Sequence, residues 1–191
     1  MLKAILKKLL KPLNYLRIKQ TQKTCIDIHL PAFVGALLLG CIYWSPVPIK
    51  ILGSDGLVTL INGLLQMLVG FFVASLAAVA TFNREGMDEI MVGKAPTLKG
   101  VSVTRRQFVC YMFGYLAFMS ILAYFSGGIV NLSIDAIRAI VGTQFPTFRV
   151  IGLYLYLVVI CNIVFTTLLS LYFLTDRVVR EDNEKPVPKE F

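Results

Sequence analysis

The side chains best placed for chemistry are the polar ones set inside long apolar runs. Asn62 and Gln66 lie four residues apart, which puts two amides on one face of a helix. Asn162, Thr166 and Ser170 recur at i, i+4 and i+8 and line a second face. Such groups in hydrocarbon need hydrogen-bonding partners, because no bulk water is there to supply them. They therefore either line an aqueous conduit or bond across helices, each bond contributing about 0.6–2 kcal/mol. No carboxylate or arginine stands within these runs to mark an ion route. Bonding between helices is the favoured reading; a small channel, holin-like pore or carrier is the alternative.

Tests for enzymatic chemistry come out negative. Gly93-Lys94 resembles the end of a phosphate loop, but Ala95 stands where a magnesium-binding hydroxyl belongs and Asp88 where the first glycine belongs. Neither an H-E-x-x-H nor a G-x-S-x-G pattern occurs, and no two intramembrane carboxylates pair for acid–base work. His29 is the single histidine and has no companions at metal-ligand spacing. Cys25, Cys41, Cys110 and Cys161 are scattered, with no C-x-x-C pair, and read as small apolar fillers rather than a disulfide framework. Leu38-Leu39-Gly40-Cys41 is a loose lipoprotein box, but a 27-residue polar arm precedes it, unlike a cleaved signal. No enzyme activity, cofactor or metal is expected.

The elements that carry these residues follow from charge spacing. The chain has 191 residues, 57% of them apolar and 16% charged, against about 25% charged in soluble domains. Mean hydropathy is +0.73. Charge-free gaps of 22, 28, 28 and 26 residues separate Asp27 from Lys50, Asp55 from Arg84, Arg106 from Asp135 and Arg149 from Asp176. About 20 apolar residues span a hydrocarbon core. The pattern predicts an all-α polytopic membrane protein with four transmembrane helices at about 28–44, 57–80, 107–130 and 150–174. Sixteen Lys/Arg fall in the arm 1–27, the loop 81–106 and the tail 175–191, against three in the other two loops. That asymmetry places both termini and the central loop in the cytoplasm.

Finer signals decorate this plan. Residues 1–27 form a basic arm in which Leu2, Ile5, Leu6, Leu9, Leu10, Leu13 and Leu16 share a face opposite Lys3, Lys7, Lys8 and Lys11. This pattern suits an interfacial helix on anionic lipids, bent or restarted at Pro12. Ala32, Ala36 and Gly40 form one small-residue ridge and Gly70, Ala74 and Ala78 another, both suited to close helix packing within or between protomers. Pro31 fits a first helical turn. Thr104-Arg105-Arg106-Gln107 is a capping box that opens the third span. That span is expected to close at Gly127-Gly128, followed by a short flat helix capped by Ser133 and stopped by Gly142.

The segment 81–106 is longer than the roughly 2–8 residues that join antiparallel helices. It mixes Arg84, Lys94, Lys99, Arg105 and Arg106 with Glu85, Asp88 and Glu89, and carries Met87, Ile90, Met91 and Leu98 among them. A docking surface for a partner protein is expected, extended by Arg177 and Arg180 of the charged tail.

In layout, in its basic leucine-rich arm, and in the segments FNREGMDEIMVGKAPTL and TRRQFVCYMFGYL, the chain resembles the KwaA family, the small membrane component of Kiwa anti-phage defence systems. The resemblance implies a homo-oligomer, a tetramer, in the bacterial inner membrane. It also implies a soluble DNA-binding partner, KwaB, docked on the cytoplasmic face, so that contact with nucleic acid is indirect. No catalytic motif is carried over.

Overall fold

The computed structural model describes residues 2–18, 25–81, 88, 90, 96–98 and 100–174. The arm starts as a short helix, α1 (Leu2–Leu9), and changes to 3-10 winding over Lys11–Arg17, with Pro12 in its first turn. Proline tolerates that position because its missing N–H has no helical acceptor there. A π-turn over Cys25–His29 leads into α2 (Leu30–Trp44), whose first turn holds Pro31 as expected. The remaining long helices are α3 (Leu57–Thr81), α4 (Arg105–Val141) and α5 (Phe145–Tyr172).

Three helical segments are long and apolar enough to cross a membrane: Cys25–Trp44, Leu57–Thr81 and Arg105–Tyr172. The third joins α4 to α5 through a 3-10 turn at Gly142–Gln144. Gly142 has φ +56 and its N–H bonds the Arg138 carbonyl, so the stop expected there is present. The chain folds back at this turn, because Phe108 near the start of α4 meets Phe173 just past the end of α5, at 5.3 Å between ring centroids.

Helix directions alternate. The start of α3 meets the end of α4, where Asn131 bonds Gly53 and Thr59, and the middle of α3 brings Phe72 beside Phe113. α2 runs opposite to α5, with the Asp27 carbonyl bonded by Asn162 and Gly35 against Val158. The four helices stand in a row, α3 beside α4, α4 beside α5 and α5 beside α2. As a result the starts of α2 and α4 and the ends of α3 and α5 share one end of the molecule, here called proximal. Segment 82–104 and both chain-terminal segments leave from that end. The distal end carries the 45–56 connection and the Gly142 turn.

The α3–α4 seam shows why these two helices pair. Val58, Leu65, Phe72 and Val79 are buried at intervals of seven residues along α3. On α4, Val109, Phe113, Leu116, Ser120, Ala123 and Gly127 alternate by four and three. Both are seams of the coiled-coil type, in which side chains of one helix fill gaps in the other. α4 is the central helix, and the main apolar cluster gathers around Phe108, Met112, Phe113 and Leu116.

One expectation fails here, and of another only the alternative between protomers is left open by this chain. α4 does not end at Gly127-Gly128 and no separate helix is capped by Ser133; it runs unbroken for 37 residues to Val141. In a span, backbone groups freed by a break would find no water, so the glycines stay helical. Gly127 serves close approach instead: a Cβ there would stand 3.0 Å from Asn62 Oδ1, 3.0 Å from the Tyr156 hydroxyl and 3.2 Å from Val58 Cγ1. Nor do the small-residue ridges pack this chain against itself. Ala36, Gly40, Gly70, Ala74 and Ala78 are exposed, and of the six only Ala32 faces a neighbour, where the Tyr154 hydroxyl approaches its carbonyl at 3.4 Å. α2 instead meets α5 at Gly35, where a Cβ would come within 2.9 Å of Val158 Cγ2.

Candidate functional site: a polar core at the proximal end

One set of buried polar groups, from the arm, the π-turn, α4 and α5, gathers toward the proximal end. Asn162 on α5 is buried and serves two partners: its Nδ2 donates to the Asp27 carbonyl at 2.7 Å, and its Oδ1 accepts from the Tyr115 hydroxyl at 2.7 Å. One amide thus ties α5 to α4 and to the π-turn before α2. Wider winding in that turn bends the chain so that Asp27, 7% exposed, points into the molecule. Tyr15, 0% exposed, completes the core from the arm. Its ring stacks on Tyr115 at 4.9 Å and 29° and lies 6.2 Å from Phe108, and its hydroxyl approaches Asp27 Oδ1 at 3.5 Å. Burial, with the Asp27 carboxylate beside it, pushes the Tyr15 phenol well above its ordinary range.

Thr166 and Ser170, expected on one stripe with Asn162, are buried with it. Ser170 Oγ donates to the Thr167 carbonyl at 2.7 Å, while the hydroxyls of Thr166 and Ser120 have no side-chain partner. Asn62 and Gln66 do not share a role. Asn62 turns inward and accepts from Tyr156 at 3.4 Å, next to Gly127. Gln66, one turn further along α3, is exposed.

Sequence reasoning did not anticipate Asp27, Tyr15 and Tyr115. Charge spacing makes Asp27 the boundary of a charge-free gap, on its wet side. In a continuous α-helix Tyr15 would share the side of Lys8 and Lys11, away from the leucine stripe. The 3-10 winding begun at Pro12 re-aims it by about 20° per residue. The available signal was Pro12 itself, since a change of winding moves every later side chain to a new face.

At the same end, Thr104 caps α4 with both halves of the expected box: Gln107 N–H donates to Thr104 Oγ1 at 3.3 Å and Thr104 N–H to Gln107 Oε1 at 3.4 Å. Before it, β1 (Thr97–Leu98) pairs antiparallel with β2 (Val101–Ser102), and Ile90 bridges to Thr104. Leu98 packs on the main cluster, whereas Ile90 is exposed. Among the docking candidates, Arg106 and Asp88 hold each other. Arg106 NH2 donates to Asp88 Oδ2 at 3.0 Å and Nε stands 3.0 Å from Oδ1, with the Arg106 side chain 21% exposed. That pair staples the segment to α4 and leaves Arg106 little free surface. Arg84, Glu85, Met87, Glu89, Met91, Lys94, Lys99, Arg177 and Arg180 lie outside the described residues. Among the described residues, no three His, Cys, Asp or Glu side chains gather as a metal site.

The arrangement fastens helices and an arm together. Compared with family models, with curated proteins and with solved structures, the chain gives no match.

Proposed function

We propose that this chain is a four-span, N-in/C-in scaffold and sensor subunit in the bacterial inner membrane, and that its proximal end is the cytoplasmic face. The carrying observation is the alternation of helix direction, which brings both chain-terminal segments and segment 82–104 to one end. Counting α4 and α5 as separate crossings gives four. Arg105–Tyr172 would be about 100 Å long if straight, against a core of roughly 30 Å. The basic surplus in the arm, the central segment and the tail supports the same orientation.

Burial of Asn162, Thr166 and Ser170 within the packing supports a scaffold rather than a conduit. The proximal surface then offers a docking face for a cytosolic protein, built from segment 82–104 and the tail. The resemblance to KwaA supplies the class of partner, a soluble DNA-binding protein of the KwaB type, and the setting, anti-phage defence by a homo-oligomer. The outward ridges Ala36/Gly40 and Gly70/Ala74/Ala78, with Gln66 beside the second, support contacts between copies.

Charge reversal of Arg84, Lys94 and Lys99 tests the docking face while leaving the Arg106–Asp88 staple in place. The variant is expected to lose a co-expressed KwaB-type partner on purification in mild detergent, at unchanged chain yield. Undiminished recovery of the partner rejects the assignment. Reconstituted bilayers are expected to show no conductance, and a current abolished by Asn62→Leu would favour the channel instead.

A further inference from the structure

The arm is two devices in series. α1 leaves Ile5 and Leu9 exposed, and Leu10 and Leu16 after it, with Lys3, Lys8 and Lys11 also exposed. Among the described residues it touches the 3-10 turn that follows it. That turn packs on α4 and buries Tyr15 and Ile18 there. One short, wound segment thus joins a basic amphipathic helix, whose Ile5 and Leu9 are exposed, to a phenol fixed in the polar core.

We propose that the arm is a strap: docking of α1 on an anionic lipid surface and insertion of Tyr15 between Tyr115 and Asp27 form one linked equilibrium. This rests on the reading of the proximal end as facing the inner leaflet. Charge complementarity selects the occupant, since clustered lysines beside an exposed apolar stripe fit anionic headgroups over acyl chains. Linkage follows from geometry. The 3-10 turn spans Lys11–Arg17, only one residue after α1 ends, so a displaced α1 pulls on Tyr15 and a withdrawn Tyr15 frees α1. Anything that binds the docked arm must therefore stabilise the inserted tyrosine, and the effect is reciprocal. Asn162 extends it to the helices, because it holds both Tyr115 and the Asp27 carbonyl. Loss of anionic lipid would then loosen the contacts that bind α2, α4 and α5 at the proximal end.

Two readouts on the full chain, reconstituted with the arm facing the bath, separate the parts. A Trp44→Phe/Leu9→Trp variant reports lipid contact of α1 through its tryptophan emission. Trypsin cleavage after Arg17 reports the strap, because Arg17 is exposed while Ile18 is buried. On vesicles of phosphatidylcholine mixed with phosphatidylglycerol, the tryptophan is expected to shift to the blue, and cleavage to run about tenfold slower than on phosphatidylcholine alone. Replacing Lys3, Lys7 and Lys8 with Gln is expected to erase that difference. Tyr15→Ala is expected to give fast cleavage on both vesicles, and Tyr15→Phe, which keeps the ring stack, to restore most of the protection. A blue-shifted tryptophan with cleavage indifferent to lipid overturns the linkage and spares the lipid contact. An unshifted tryptophan overturns both.

Discussion

The two ends of the helix row are built differently. At the proximal end, four elements from distant parts of the chain share one buried polar core wrapped in rings: Tyr15, Asp27, Tyr115 and Asn162, with Phe108 and Phe173 alongside. At the distal end, a half-buried amide does much of the fastening. Asn131 accepts from the Gly53 N–H at 2.8 Å and donates to Thr59 Oγ1 at 3.2 Å, over a small cluster of Ile51, Val58, Leu153 and Leu157. Beyond that clamp α4 projects with Leu132 90% and Ile140 84% exposed. The contrast places rigidity where the arm and segment 82–104 attach, and leaves the far end loosely tied.

Substitutions that sharpen this contrast differ in expected size. Phe108→Ala empties the centre of the proximal ring cluster and should cost about 3–5 kcal/mol, read as a lowered midpoint of thermal unfolding in mild detergent. Asn162→Ala removes two bonds and leaves the Tyr115 hydroxyl and the Asp27 carbonyl buried without that partner. A loss of about 2 kcal/mol is expected in the same assay, together with faster proteolysis of the arm. At the distal end, Asn131→Ala breaks a clamp that water can replace, so about 1 kcal/mol or less is expected, with arm proteolysis unchanged. Asp88→Asn weakens an ion pair whose carboxylate is largely exposed. The midpoint should then move by the equivalent of less than about 1 kcal/mol, and less still in high salt. If Asn131→Ala cost more than Asn162→Ala, the order of the two ends would be reversed.

Much of this architecture could be read from residue order. Charge-free gaps located α2 and α3 closely, because charges are excluded from hydrocarbon whatever the fold. Local devices were equally legible: Pro31 in a first turn, the Thr104–Gln107 box and the stop at Gly142 depend only on neighbouring residues. Faces that need a partner were not. Gly127-Gly128 looks like a break in a soluble chain, but between helices it is a place of contact for Asn62 and Tyr156. The ridges on α2 and α3 signalled close approach without saying to what, and this chain packs through Gly35 and the aromatic seven-residue seam instead. Burial of Asp27 depends on a π-turn and on Asn162, 135 positions away, so no local window contains it.

The central claim is that four crossings leave the docking surface on the cytoplasmic side. A phosphatase that is active only outside the cytoplasm, inserted after Lys99, tests it most directly. The account predicts an inactive reporter there, and an active one when the same insertion follows Gly142. Activity after Lys99 would contradict the topology and remove the docking face with it.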